Sequence, residues 1–131
     1  MSGLHILAAE DNEMNSEILS ELLDMMGATC DIMENGKKAV ERFSQSKPDE
    51  YDLILMDVQM PVMNGYEATA AIRACNHPRA KTIHIIAMTS DAFVEDIQKA
   101  MDAGMNDHVS KSVDLKRLEE AVRRVRKNVA I

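Results

Sequence analysis

Asp57 closes the apolar run Leu53 to Met56, just ahead of a segment containing Pro61, Asn64 and Gly65. Other apolar runs end in polar groups in the same way. Leu4 to Ala9 leads into Glu10 and Asp11, Ile83 to Met88 into Thr89 and Ser90, and the weaker run His108 to Ser110 into Lys111. If the runs are strands of one parallel sheet, these groups emerge together at its carboxyl edge, where open α/β sheets bind ligands. Carboxylates converging on one crevice repel one another, and protonation or a divalent cation relieves them. Magnesium suits such a set, since it takes hard oxygen ligands from a few carboxylates and keeps positions for water and phosphate. Beside it, Asp57 could act as a nucleophile toward phosphorus, as carboxylates do in acyl phosphate chemistry. Lys111 supplies a compact positive charge for a phosphoryl oxygen and Thr89 a hydroxyl donor.

The elements that must position these groups follow a single alternation. Short, nearly continuous apolar runs at Leu4 to Ala9, Thr29 to Met33, Leu53 to Met56, Ile83 to Met88 and His108 to Ser110 predict strands covered on both faces. Helical spacing fills the intervals. After Asn12, an N-cap type, Ile18, Leu19, Leu22, Leu23 and Met26 form a stripe that Gly27 ends at a C′ position. Gly36 to Ser46 carries Ala39, Val40 and Phe43, and Gly65 to Asn76 carries Ala68, Ile72 and Cys75. Phe93, Val94, Ile97, Ala100 and Met101 follow Asp91 and are closed by Gly104, and a last helix is expected from Asp114. Five strands alternating with five helices predict an α/β fold, a doubly wound parallel sheet with right-handed crossovers. One domain is expected over residues 1–131, with 1–3 and 127–131 as frayed ends.

Composition agrees with one globular core: 131 residues, 46% hydrophobic and 28% charged. The 15 Lys and Arg against 22 Asp and Glu give a net charge of −7. That balance disfavours direct nucleic-acid binding, which needs a basic face. Cys30 and Cys75 lack metal-ligand spacing and read as free thiols, which points to a reducing, cytoplasmic setting. The start lacks a charged region followed by a long apolar one, and no window supports a membrane span.

The runs "ILAAEDNEMNSEIL", "LILMDVQMPVMNGYEATAAIR", "IIAMTSDAF" and "VSKS" resemble the receiver domain of two-component response regulators, most of all the receivers of hybrid histidine kinases. The likeness covers essentially the whole chain, with its motifs in order at strand ends. It implies a flavodoxin-like sheet of order 2-1-3-4-5. It further implies Asp57 as phosphoacceptor, Asp11 as a direct magnesium ligand, Glu10 acting on the metal through water, and the backbone carbonyl of Gln59 as a further ligand. Thr89 and Lys111 would bind the phosphoryl group, and Thr89 with His108 would form the switch. The implied partners are a histidine kinase or histidine phosphotransfer domain, with the rest of a hybrid kinase or an output domain beyond. Since the sequence stops after the expected fifth helix, a stand-alone regulator and a receiver cut from a hybrid kinase are both open.

Two positions depart from the family pattern. Ser112 follows Lys111 where receivers usually carry a proline held cis, and a cis bond before another residue costs roughly 3 kcal/mol, so a trans path is expected there. His108 stands where receivers often carry Tyr or Phe, which predicts altered switch coupling.

Each feature also has a plainer reading. Glu10 and Asp11 could merely complement a helix dipole, Thr89 and Ser90 are ordinary N-cap types, and Lys111 could be a solvated lysine. The methionines read mostly as core filler, though Met14, Met60 and Met63 near the site could form an adaptable docking surface. Two other functions compete. An Asp-nucleophile phosphatase typically has a second acid two residues after the nucleophile, where this chain has Gln59. A receiver-like binding module independent of phosphorylation would explain His108 and Ser112 as lost switching.

Overall fold

The structure, a computed structural model, describes residues 4–25, 27–58, 63–89 and 94–110, with backbone alone at 89, 94–97 and 108–110. Strands β1 (His5–Ala9), β2 (Thr29–Met33), β3 (Leu53–Asp57), β4 (His84–Thr89) and β5 (Asp107–Ser110) alternate with helices α1 (Glu13–Met25), α2 (Gly36–Ser44), α3 (Gly65–Ala74) and α4 (Val94–Ala103). The sheet is parallel throughout, in the order β2-β1-β3-β4-β5. This is the expected doubly wound order, with its reversal between β1 and β3. The fifth helix expected from Asp114 lies outside the described residues.

Alternation along the strands builds two apolar layers. Leu7, Ala9, Ile54, Met56, Ile85 and Ala87 face α2, α3 and α4, where Phe43, Ala68, Ile72 and Ala100 meet them. Ile6, Ala8, Leu53, Leu55, Ile86 and Met88 face α1, through Leu19 and Leu23. The central strands β1, β3 and β4 are buried on both sides, as continuous apolar runs require. The expectation fails for β2. Its residues are half-buried or exposed, because an edge strand has one neighbour and is only partly covered.

Helix ends follow their chemistry. Asn12 accepts a hydrogen bond from the Asn15 N–H at 3.1 Å, the predicted N-cap of α1. Gly27 follows that helix at φ 78°, with Ala28 N–H bonded to the Leu23 carbonyl at 2.9 Å. The apolar stripe of α1 needs correction. Leu19 and Leu23 are buried, whereas Ile18 is 44% exposed, since each helical step turns the side chain by about 100°. Helix α2 ends at Ser44 and α3 at Ala74, two residues short of the expected bounds. Cys75 is already extended (ψ 170°), three residues before Pro78. Both cysteines are free.

Candidate functional site

The carboxyl edge of β1 and β3 gathers three acids. Asp57 is the last residue of β3, and Glu10 and Asp11 follow β1 directly. One carboxylate oxygen from each lies within 4.8 Å of the others. Asp57 is fully buried and Glu10 4% exposed, while Asp11 opens to solvent. The set therefore has two oxygens fixed in the protein and one at its mouth.

Local chemistry holds each acid in place. Glu10 donates its N–H to the Met33 carbonyl at 3.0 Å, so the chain leaves β1 strapped to β2. Its Oε1 accepts from the Asn12 N–H at 3.1 Å, and its carbonyl accepts from Ser16 Oγ at 3.4 Å. These contacts fold the acidic turn back onto the first turn of α1. Beyond Asp57, Val58 N–H bonds to the Met88 carbonyl at 3.1 Å, and Gly65 N–H to the Val58 carbonyl at 3.0 Å. Asn64 then caps α3 through a capping box with Glu67.

Gly65, which the sequence marks only as the start of a helical segment, also shapes the site. A Cβ there would overlap the carbonyl oxygen of Asp57 and lie 2.8 Å from the Val58 Cα. Only glycine lets α3 start against the backbone that carries the acid. The Asn-Gly pair was the available signal, but it announces a turn rather than a close approach.

The remaining expected site residues divide by position. Thr89 ends β4, one residue beyond Met88, which pairs with Asp57 across the sheet, and Thr89 itself pairs with Ser110. His108 lies in β5 opposite Ala87. Gln59, Lys111 and Ser112 fall outside the described residues, as does Met60. Met14 is 70% exposed in the first turn of α1, and Met63 is partly buried against the core.

The donor set fits magnesium: among the described residues it is three hard carboxylate oxygens within 4.8 Å of one another, two on buried residues and one facing water, with no thiolate or imidazole.

A family model described as response regulator receiver domain matches residues 6–123. The chain belongs to the response regulator receiver domain family. Among curated relatives, this receiver domain is 37% identical over 133 residues to a probable histidine kinase of Oryza sativa, covering 93% of the chain and 13% of the relative. A hybrid signal transduction histidine kinase of Dictyostelium discoideum is 40% identical over 119 residues, covering 89% of the chain and 7% of the relative. The receiver domain thus spans a small part of these relatives' length. Among solved structures, the receiver domain of a Pseudomonas aeruginosa sensor histidine kinase, with a magnesium ion in its active site cleft, has TM-score 0.83 and 33% identity. It matches 94% of this chain and 97% of that one. A Saccharomyces cerevisiae response regulator receiver, co-crystallised with a histidine phosphotransfer protein, has TM-score 0.77 and 29% identity over 90% of this chain and 85% of that one.

Proposed function

We propose that this receiver domain takes a phosphoryl group from a phosphohistidine onto Asp57 and that the acyl phosphate resets the α4, β5 and fifth-helix surface. The observation that carries this reading is the convergence of Glu10, Asp11 and Asp57 within 4.8 Å, with Asp57 fully buried at a strand end. Carboxylates set against one another repel, and a bound divalent cation relieves that repulsion.

In the reaction, a carboxylate oxygen of Asp57 attacks phosphorus in line as the P–N bond to the donor imidazole breaks and its electron pair stays on nitrogen. Asp11 and Asp57 would hold Mg2+ directly and Glu10 through water, with the Gln59 carbonyl as a further ligand. When bound, the ion neutralises charge on the transferred group. Lys111 and Thr89 would bind the other phosphoryl oxygens. Burial of Asp57 among β1, β3 and β4 fixes the direction of attack. The acyl phosphate carries about −1.5 to −2 charge where the carboxylate carried −1, which draws Thr89 toward it and biases the surface that includes His108. Water later splits the acyl phosphate, restoring the carboxylate and releasing inorganic phosphate.

The donor would be a histidine kinase or histidine phosphotransfer domain, in the cytoplasm, with the remainder of a hybrid kinase or an output domain as further partners. Surface chemistry beside the acids supports a docking helix. Met14, Ile18 and Met25 are 70%, 44% and 73% exposed and fall within about 40° of arc on α1. Glu13, Glu17, Glu21 and Asp24 repeat the same spacing one position earlier, so a donor helix with an apolar row flanked by Lys or Arg fits here. Among the described residues, no helix is long and apolar enough to cross a membrane.

Incubation with acetyl phosphate and Mg2+ should add one phosphoryl mass, acid-stable and lost in base, and Asp57→Asn should remove it. Undiminished labelling of Asp57→Asn would sink the assignment.

A further inference from the structure

Helix α3 carries Arg73, whose guanidinium meets oxygens of the backbone and of an amide. Its Nε donates to the Gly104 carbonyl at 3.1 Å. Nη1 donates to the carbonyls of Ala80 (3.1 Å) and Ile83 (2.7 Å). Nη2 donates to the Gly104 carbonyl (2.7 Å) and Asn106 Oδ1 (2.9 Å). Arginine has five N–H donors, and all five are used. A lysine, with three donors at one point, could not span the same acceptors.

The acceptors lie on two segments, the lead-in to β4 and the turn joining α4 to β5. Asn106 ties them further, as its Oδ1 accepts from Ile85 N–H at 2.9 Å and its own N–H donates to the Ile85 carbonyl at 2.8 Å. Gly104 sits at φ 107°, a conformation that favours glycine, and a Cβ there would come within 3.2 Å of Arg73 Cγ. The turn is thus shaped around the guanidinium. Burial lowers the Arg73 pKa from its ordinary value, yet every donor has an acceptor to offset the lost water.

β5 depends on such an anchor. It has four residues and pairs with β4 alone, from Ile86 opposite Asp107 to Thr89 opposite Ser110. A one-residue slip in a strand turns every side chain to the other face, so fixing the root fixes what is presented at the far end. In the sequence, Lys111 follows Ser110.

We propose that Arg73 is a positioning residue for the phosphoacceptor reaction, setting the register in which Ser110 meets Thr89 and from which the chain continues to Lys111. This role rests on the function proposed above. It places a control on phosphorylation at the end of β5 remote from Asp57.

The test uses this chain with Arg73→Lys, Asn106→Ala and the double variant Arg73→Lys/Asn106→Asp. Amide exchange, Mg2+ affinity by calorimetry and the initial rate with saturating acetyl phosphate are measured for each. In both single variants, exchange from Gly104 to Asp107 rises about tenfold while β1 and β3 keep their protection. The phosphorylation rate falls about tenfold, because small misplacements of a reacting constellation are costly. Mg2+ affinity stays within about twofold, since the carboxylate ligands stand on β1 and β3, away from the clamp. The double variant regains part of the rate through an ammonium–carboxylate contact. A rate unchanged despite faster exchange would reduce Arg73 to a structural clamp and overturn the proposal, and so would parallel loss of metal affinity and rate. Failure of the unsubstituted chain to accept a phosphoryl group, with metal binding intact, removes the proposed function and this role together, and appears before any substitution is made.

Discussion

The two ends of strands β1 and β3 use acidic residues in opposite ways. Where the strands begin, acids are paired with donors. Asp31 Oδ2 accepts from Tyr51 Oη at 2.6 Å, lies 3.2 Å from His5 Nε2 and 3.8 Å from Arg42. Glu50 pairs with Arg42, and Asp52 accepts from the His5 N–H at 2.8 Å. The Arg42 guanidinium lies 5.4 Å above the Tyr51 ring, and the His5 ring is 4.7 Å from it. Where the strands end, Glu10, Asp11 and Asp57 are set against one another. An acid among cations and hydroxyls contributes to folding, whereas carboxylates gathered together repel one another and suit a bound cation.

The largest effect that separates these ends is on metal response. Mg2+ at a hundred times its dissociation constant should stabilise the chain by about 2.7 kcal/mol, a rise of several degrees in Tm. Asp57→Asn should melt higher than the parent without metal, because one of the mutually repelling charges is gone, and should lose most of the Mg2+ response. Calorimetric melts with and without Mg2+ check this, and an unchanged metal response in Asp57→Asn would contradict the donor set. Gly65→Ala comes next. Its methyl group meets the backbone of Asp57 and Val58, so a loss of about 2 kcal/mol is expected from overpacking, with slower phosphorylation. Urea unfolding and the acetyl phosphate rate measure both effects, and a fully active, fully stable variant would show that α3 can shift without disturbing the acid.

How much of this could be read beforehand depends on range along the chain. The doubly wound parallel sheet and the meeting of Glu10 with Asp57 follow from apolar runs that end in acids, a pattern set by strand burial and crossover handedness, whereas the strand order came from the resemblance to receivers. Asn12 as a cap and Gly27 as a terminator are local chemistry and were equally plain. The exposure of Ile18 was not, because an apolar residue on the flank of a helix stripe has no marker for what covers it. Nor was the partial exposure of β2, which depends on a place at the sheet edge rather than on composition. The Arg73 clamp was invisible because its acceptors, Asn106 Oδ1 apart, are backbone carbonyls, and any residue type can supply a backbone carbonyl.

The paired end makes the converse prediction, stability without function. Tyr51→Phe removes the hydroxyl that Asp31 accepts and leaves the ring in place, so a loss of about 1 kcal/mol is expected. Phosphorylation of Asp57 should keep the parent rate. A fall in rate that exceeds the fall in stability would join the two ends and undo the contrast drawn between them.

Glu50 gives the smallest effect and the sharpest sign. The Lys47 N–H, first, and then Arg42 hold its carboxyl below the usual 4.5, so the folded state favours the charged form. A depressed carboxylate pKa contributes stability that is fully present above the unfolded value and lost as pH falls through the folded one. The Glu50→Gln substitution should therefore destabilise the chain slightly at pH 7, and the difference from the parent should shrink once pH drops below about 4.5, the carboxyl's ordinary value. Paired urea titrations across that range decide the matter. A Glu50→Gln difference that stays constant down to the acid transition would mean that Glu50 is held by geometry rather than by charge, and the electrostatic contrast would then rest on Asp31 alone.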